Sequence, residues 1–296
     1  MSTESAQARA PKSISFLASE VSAFFAMTRK ELIIMARYPV NFIASFGQTF
    51  LIVAVFTLGG SMFFRTSAST PVGVEIGASS SNPTGVVVYG FILFMFMSDT
   101  LWTIGYNIRN EQLQGTLEQL YLSPASKFAS LIARVTNTLV WTSLLSLTAA
   151  ALMTIMMGKL PFENPWLGLY ILIMALLGTF GFGFAFAALT LRIKETAQTV
   201  ANFLQFALLV VCAMFFPFSA LPPFILRISR LIPLSYAVDA FRSAMMGFPP
   251  GFPELAPFTT ELVITTLFGL IMPPVGYLLY RRAESYARKQ GSLSMY

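Results

Sequence analysis

The chain has 296 residues, of which 55% are hydrophobic and 11% charged. A soluble domain of this size cannot hide that much apolar surface, so the bilayer is its solvent. The net charge of +6 marks the cytoplasmic side of a membrane protein, not a nucleic-acid surface. There is no histidine, which removes the commonest proton shuttle and metal ligand. The lone Cys212 cannot form an internal disulfide and reads as a small buried hydrophobe.

Residues 1–14 are polar and are expected to be disordered. Residues 15–37 turn amphipathic, with Phe16, Leu17, Val21, Phe24, Phe25, Leu32 and Ile33 at roughly helical spacing. This pattern predicts a helix lying in the cytoplasmic headgroup plane. Arg29, Lys30 and Glu31 stand at its exit.

Six apolar runs follow, near Pro39–Phe64, Val86–Ile108, Phe128–Met157, Trp166–Leu191, Thr199–Phe218 and Phe258–Tyr280. Each reaches the roughly 20 residues that cross a bilayer as a helix. Residues 38–282 are therefore expected to form one all-α, six-span membrane domain, and 283–296 a basic tail. Of the 19 Lys and Arg, only Arg65, Lys159, Arg227, Arg230 and Arg242 fall on one side. The excess on the other side places both termini in the cytoplasm of a multi-pass protein of the cell inner or plasma membrane. Gly178, Gly181, Ala185 and Ala188 share a face of the fourth span and predict close helix packing within the subunit.

Between the second and third spans lies a polar island, RNEQLQGTLEQLYLSPASK, residues 109–127. Gly115 can close the preceding helix, and Thr116 with Gln119 forms a capping-box pattern for a new one. Leu117, Leu120 and Tyr121 share a face, and Pro124 stops the helix. Glu111, Glu118 and Lys127 ring that apolar knob. The spacing suits equally an ordinary loop or a docking peg for a soluble partner.

After the fifth span, Pro222 and Pro223 open one short helix and Pro233 separates it from a second, Leu234–Met246. Asp239 and Arg242 stand three apart on one face of the second. The pair is expected to dip into the outer leaflet and return. Within the spans, Asp99 and Arg134 fall at similar depth on antiparallel neighbours and are expected to pair. Glu261, near the outer end of the last span, is expected to reach the headgroups. No series of buried acids crosses the membrane, which argues against ion coupling. The chain carries no GxxxxGK[ST] nucleotide loop and no hydrolase or metal motif, so no catalytic or metal site is expected.

These residues together resemble the permease subunit of an ABC type-2 exporter. Glu111, then Gly115-Thr116-Leu117-Glu118, Leu120 and Ser123-Pro124 are similar to that family's block between spans two and three. Phe216-Pro217, Leu221-Pro222, Pro233 to Val238 and Phe241-Arg242 are similar to its block after span five. Ile232 stands where the family has an Asn. The resemblance implies two permease subunits, identical or different, each carrying one ABC ATPase that holds ATP and Mg, so this chain is not an enzyme and needs no cofactor of its own. It implies a coupling helix at Thr116–Leu122, with Glu111, Gly115, Thr116, Leu117, Glu118, Leu120, Tyr121 and Pro124 at the ATPase and Arg29 and Glu31 bracing it. It implies an outer gate at Pro222–Met246, including Pro222, Pro233, Tyr236, Asp239 and Arg242. It places the substrate path at the subunit interface, along the first, second and fifth spans.

On the fifth span the candidate path residues are Phe203, Phe206, Val210, Met214 and Phe215, with polar Asn202 and Gln205; Trp102 is their counterpart on the second. Phe and Met give adaptable apolar contacts, which favours a lipid-like or amphiphilic drug cargo. Export of a polysaccharide, a teichoic-acid-like polymer or a glycolipid by the same architecture is the alternative. Membrane lipids are expected partners and nucleic acid is not.

Overall fold

The computed structural model describes residues 83–106, 127–157, 160–193 and 196–289, with scattered helical positions from 25 to 51. The Glu111–Pro124 stretch, Glu31 and the first span beyond those positions lie outside the described residues. The described residues are helical and contain no strand. Phe25, Arg29, Ile33 and Arg37, spaced by four, are helical and exposed.

The elements in order are α1 (Pro83–Thr100), a π-helix (Leu101–Tyr106), α2 (Lys127–Met157), α3 (Pro165–Ile193), α4 (Ala197–Val211), a 3-10 turn (Phe218–Ala220), α5 (Pro223–Ser229), α6 (Pro233–Met245) and α7 (Phe258–Lys289). Among the described residues three stretches are long and apolar enough to cross a membrane: Gly85–Thr103, Pro165–Thr190 and Phe258–Tyr286. Two shorter apolar stretches, Thr138–Leu152 and Ala197–Val211, lie within α2 and α4.

The prolines act where the sequence places them. Pro222 is the N-cap of α5 and Pro223 its first residue, while Pro233 begins α6. Proline suits the first turn because its missing N–H would have no helical partner there. Two helices differ in length from the apolar runs. α7 runs on to Lys289, past the apolar limit at Tyr280, because a helix leaving the bilayer can continue as a polar one. α4 ends at Val211, seven residues before Phe218, and the chain then turns through Ala213 at φ 48°.

The closest packing joins α3 to α7. A Cβ on Gly181 would collide with the backbone of Met272 and Pro273, and one on Gly276 would collide with the Gly181 carbonyl. A Cβ on Gly178 would enter the Phe268 ring. The small-residue face of the fourth apolar run is thus consumed inside the chain. Two backbones in contact gain dispersion energy that bulkier side chains would forbid.

The main core gathers on α1 and α6. Val88, Phe91, Met97, Ala237, Val238 and Phe241 are buried there. At one end of the bundle the α2–α3 loop meets α1 and α6. The Tyr89 hydroxyl donates to the Pro161 carbonyl, and the Glu163 N–H to the Met245 carbonyl at 3.1 Å.

Candidate functional site

Two features stand out, one toward each end of the bundle. The first is built on the π-helix. α1 widens from α-helical to π geometry at Leu101, a change that disturbs the regular ladder and is frequent at functional sites. This turn brings Trp102 against α4, where the indole Nε1 donates to Gln205 Oε1 at 2.8 Å. Both are candidate path residues, and they are far apart in sequence.

Gln205 shares α4 with an uncovered face. Asn202 is exposed, Phe203 is 73% exposed and Phe206 61% exposed. The opposite face of α4, with Ala197, Ala201 and Leu208, is buried in the chain's own core. One helix therefore presents two large aromatics and an amide outward while its small residues seat it. Met214 and Phe215 are not on this surface. Met214 is fully buried, and Phe215 packs its ring against Phe91 and Phe94 at 5.9 and 5.5 Å between centroids.

The second feature closes the other end. Arg242 on α6 is fully buried. Its Nη2 donates to the Ala213 and Met214 carbonyls at 2.7 Å each, and its Nη1 to Phe216 at 3.2 Å. These carbonyls belong to the turn that follows α4, where the Ala213 carbonyl also accepts from the Phe216 N–H at 3.4 Å. One guanidinium thus holds that turn and fastens it to α6. A Cβ on Gly90 would collide with Met214 and with Arg242, so glycine on α1 makes room for the junction. Burial lowers the guanidinium to about 10, opposed by the nearby Asp239.

Asp239 does a parallel task. Its Oδ2 accepts from the N–H groups of Glu254 and Leu255 at 2.7 and 2.8 Å. The pattern expectation had Asp239 and Arg242 adjacent on one helix face. The structure does place them there, both buried, yet each spends its hydrogen bonds on a different loop. Glu254 in turn accepts from the Ser219 N–H at 2.6 Å. Burial pushes the Glu254 carboxyl above its ordinary value, and the Ser219 N–H opposes that.

Glu261 corrects an expectation. It does not reach the headgroups: it is fully buried, and its Oε1 accepts from the Ala256 N–H at 3.2 Å. Its carboxyl meets that of Asp239. Glu254 and Glu261 were missed as partners of Asp239 because the contacts join distant turns. A carboxylate in the first turn of an apolar helix was the available signal.

The Tyr236 hydroxyl donates to the Arg230 carbonyl at 2.9 Å, closing the α5–α6 corner. Cys212 is buried beneath Ser235, as a small hydrophobe would be. Asp99 accepts a hydrogen bond from Thr142 on α2. The Arg134 side chain lies outside the described residues; its helical position is eight residues, or about 12 Å of rise, from Thr142. Among the described residues no cluster of His, Cys, Asp or Glu has metal-site geometry.

The described residues thus form an all-helical bundle with three stretches long and apolar enough to cross a membrane. Residues 54–279 match the family model described as ABC-2 family transporter protein, and the chain belongs to that family. It is an ABC type-2 permease, the membrane part of a transporter whose family works with an ABC ATPase. No curated protein matches the chain.

Proposed function

We propose that this chain is the permease of an ATP-driven exporter that moves an amphiphilic drug or lipid-like molecule outward. Two permease subunits face each other, and each seats one ATPase that holds ATP and Mg. The path runs between the subunits along the exposed face of α4. Asn202, Phe203 and Phe206 line it, and Trp102 and Gln205 set its cytoplasmic rim. Both termini are cytoplasmic, and the protein lies in the cell inner or plasma membrane.

The observation that carries this reading is the Trp102–Gln205 bond. It ties the path helix to the π-helix, and the chain leaves that π-helix directly into residues 109–127. That stretch supplies the coupling helix, with Leu117, Leu120 and Tyr121 in an ATPase cleft and Glu111, Gly115, Thr116, Glu118 and Pro124 setting its shape. Arg29 and Glu31 brace the same partner. ATP-driven closure of the ATPase pair pushes on this segment, and Trp102 passes the displacement to α4. The α5–α6 pair, clamped by Asp239 and Arg242, is the outer gate.

Two exposed phenylalanines beside one amide favour a greasy cargo with a small polar part over a sugar polymer. The test is purification from the native host in mild detergent with the intact complex weighed by mass spectrometry. Two permease chains, two ATPase chains and a retained amphiphile are expected. A complex without an ATPase, under conditions that keep other such complexes whole, overturns the reading.

A further inference from the structure

α5 is a seven-residue helix whose outward stripe is Phe224, Arg227, Arg230 and Leu231. Phe224 is 72% exposed and Leu231 81%, among the most exposed apolar side chains described, and both arginines are exposed with them. Phe224 and Arg227 stand three apart on the helix, Arg230 caps its end and Leu231 follows, so apolar and cationic side chains are exposed together along this short element.

The orientation of this surface is held from behind. The Ser229 hydroxyl, fully buried, donates to the Val211 carbonyl at 2.6 Å. The Tyr236 hydroxyl takes the Arg230 carbonyl, and Ile225 and Leu226 pack on Ala213, Phe218, Leu221 and Leu255. α5 therefore cannot roll its arginines inward. Asp239 and Glu254 are engaged elsewhere: Asp239 holds the Glu254 and Leu255 N–H groups, and Glu254 holds the Ser219 N–H. Among the described residues neither guanidinium has a carboxylate partner.

We propose that this stripe is a binding surface for the phosphate headgroup of an anionic lipid. Phe224 and Leu231 enter the acyl boundary, and Arg227 and Arg230 grip one phosphate from the same turn. The charges are complementary, and a guanidinium fork matches phosphate oxygens in a way a single ammonium does not. An amphipathic element of this composition settles where headgroups meet acyl chains. The occupied surface anchors α5, and through Tyr236 and Ser229 it steadies α6 and the end of α4. The inference rests on the membrane-spanning character of the chain, not on the cargo or direction of transport.

The test uses the full chain in nanodiscs of mixed phosphatidylcholine and phosphatidylglycerol, with retained lipids counted by native mass spectrometry. The wild type is expected to prefer phosphatidylglycerol, and R227Q/R230Q to lose about thirtyfold of that preference, roughly fivefold per arginine. R227K/R230K keeps most of it. Where the double variant does not fold, the single variants R227Q and R230Q carry the same test. An unchanged preference in the glutamine variants overturns the proposal. So does displacement of the lipid by inorganic phosphate alone, which would make the surface a site for free phosphate. Failure of the wild type to transport, with the lipid preference intact, removes the transport reading and leaves this one standing.

Discussion

The indole of Trp102 donates to the side-chain carbonyl of Gln205 at 2.8 Å, joining the π-helix to the uncovered face of α4. A net contribution of about 0.5–1.5 kcal/mol is usual for such a bond, too small to hold the fold but enough to couple two segments. Gln205→Leu is expected to lower transport about three- to tenfold while shifting the thermal midpoint by no more than about 3 °C. Trp102→Phe should do the same, and the double variant should add little to either. Flux and melting curves on the same four preparations check this. Full additivity would mean the two residues act separately.

Arg242 should be far less tolerant. Arg242→Met leaves the Ala213, Met214 and Phe216 carbonyls without their donor in a buried site. A loss of at least about 3 kcal/mol is expected. Arg242→Lys retains the charge but not the fork, and should fall between. Thermal unfolding in detergent ranks the three proteins; equal stability of all three would refute the clamp.

Gly181 and Gly276 meet backbone to backbone between α3 and α7. Alanine at either position must push the helices apart, at about 1–3 kcal/mol or more. Leu278→Ala on the exposed side of α7 serves as the control, since Leu278 is 53% exposed. The two glycine variants should lower the melting temperature clearly and the control only slightly.

The Glu254 carboxyl is raised by burial in the folded protein. It therefore keeps a proton that the unfolded chain has already lost, and stability falls as pH rises from the ordinary carboxylate range toward the raised value. The chain has no histidine to obscure this slope. Melting temperature should decline from about pH 5 upward, with a smaller decline in Glu254→Gln; one such proton accounts for at most about 1.4 kcal/mol per pH unit. A slope unchanged in the variant would assign the effect elsewhere.

How far the structure was legible follows from which contacts are local. Pro222, Pro223 and Pro233 set helix starts through their own backbone chemistry, so α5 and α6 were readable in advance. The glycine face of α3 was readable because period alone shows it. The end of α4 was not. Hydropathy continues past Val211, while the turn that ends the helix is held by contacts from far along the chain, the Ser229 hydroxyl on the Val211 carbonyl and Arg242 on the Ala213 and Met214 carbonyls. Glu261 was misplaced for a similar reason. A carboxylate near a span end ordinarily reaches water, and only the fold puts Asp239 and the Ala256 N–H beside it. Phe203 and Phe206 were grouped with Met214 and Phe215 as candidate path residues of one apolar run. They separate because the chain turns between Val211 and Phe216.

The central claim is that ATP drives transport through the 109–127 stretch. The most direct measurement is ATP-dependent uptake of a fluorescent amphiphile into inside-out vesicles, comparing the wild type with Leu117→Asp. The wild type should accumulate the probe only with ATP, and Leu117→Asp should express and fold yet show no ATP-dependent uptake. Normal ATP-driven uptake by Leu117→Asp would contradict the proposed coupling role of the 109–127 stretch, which requires an apolar Leu117.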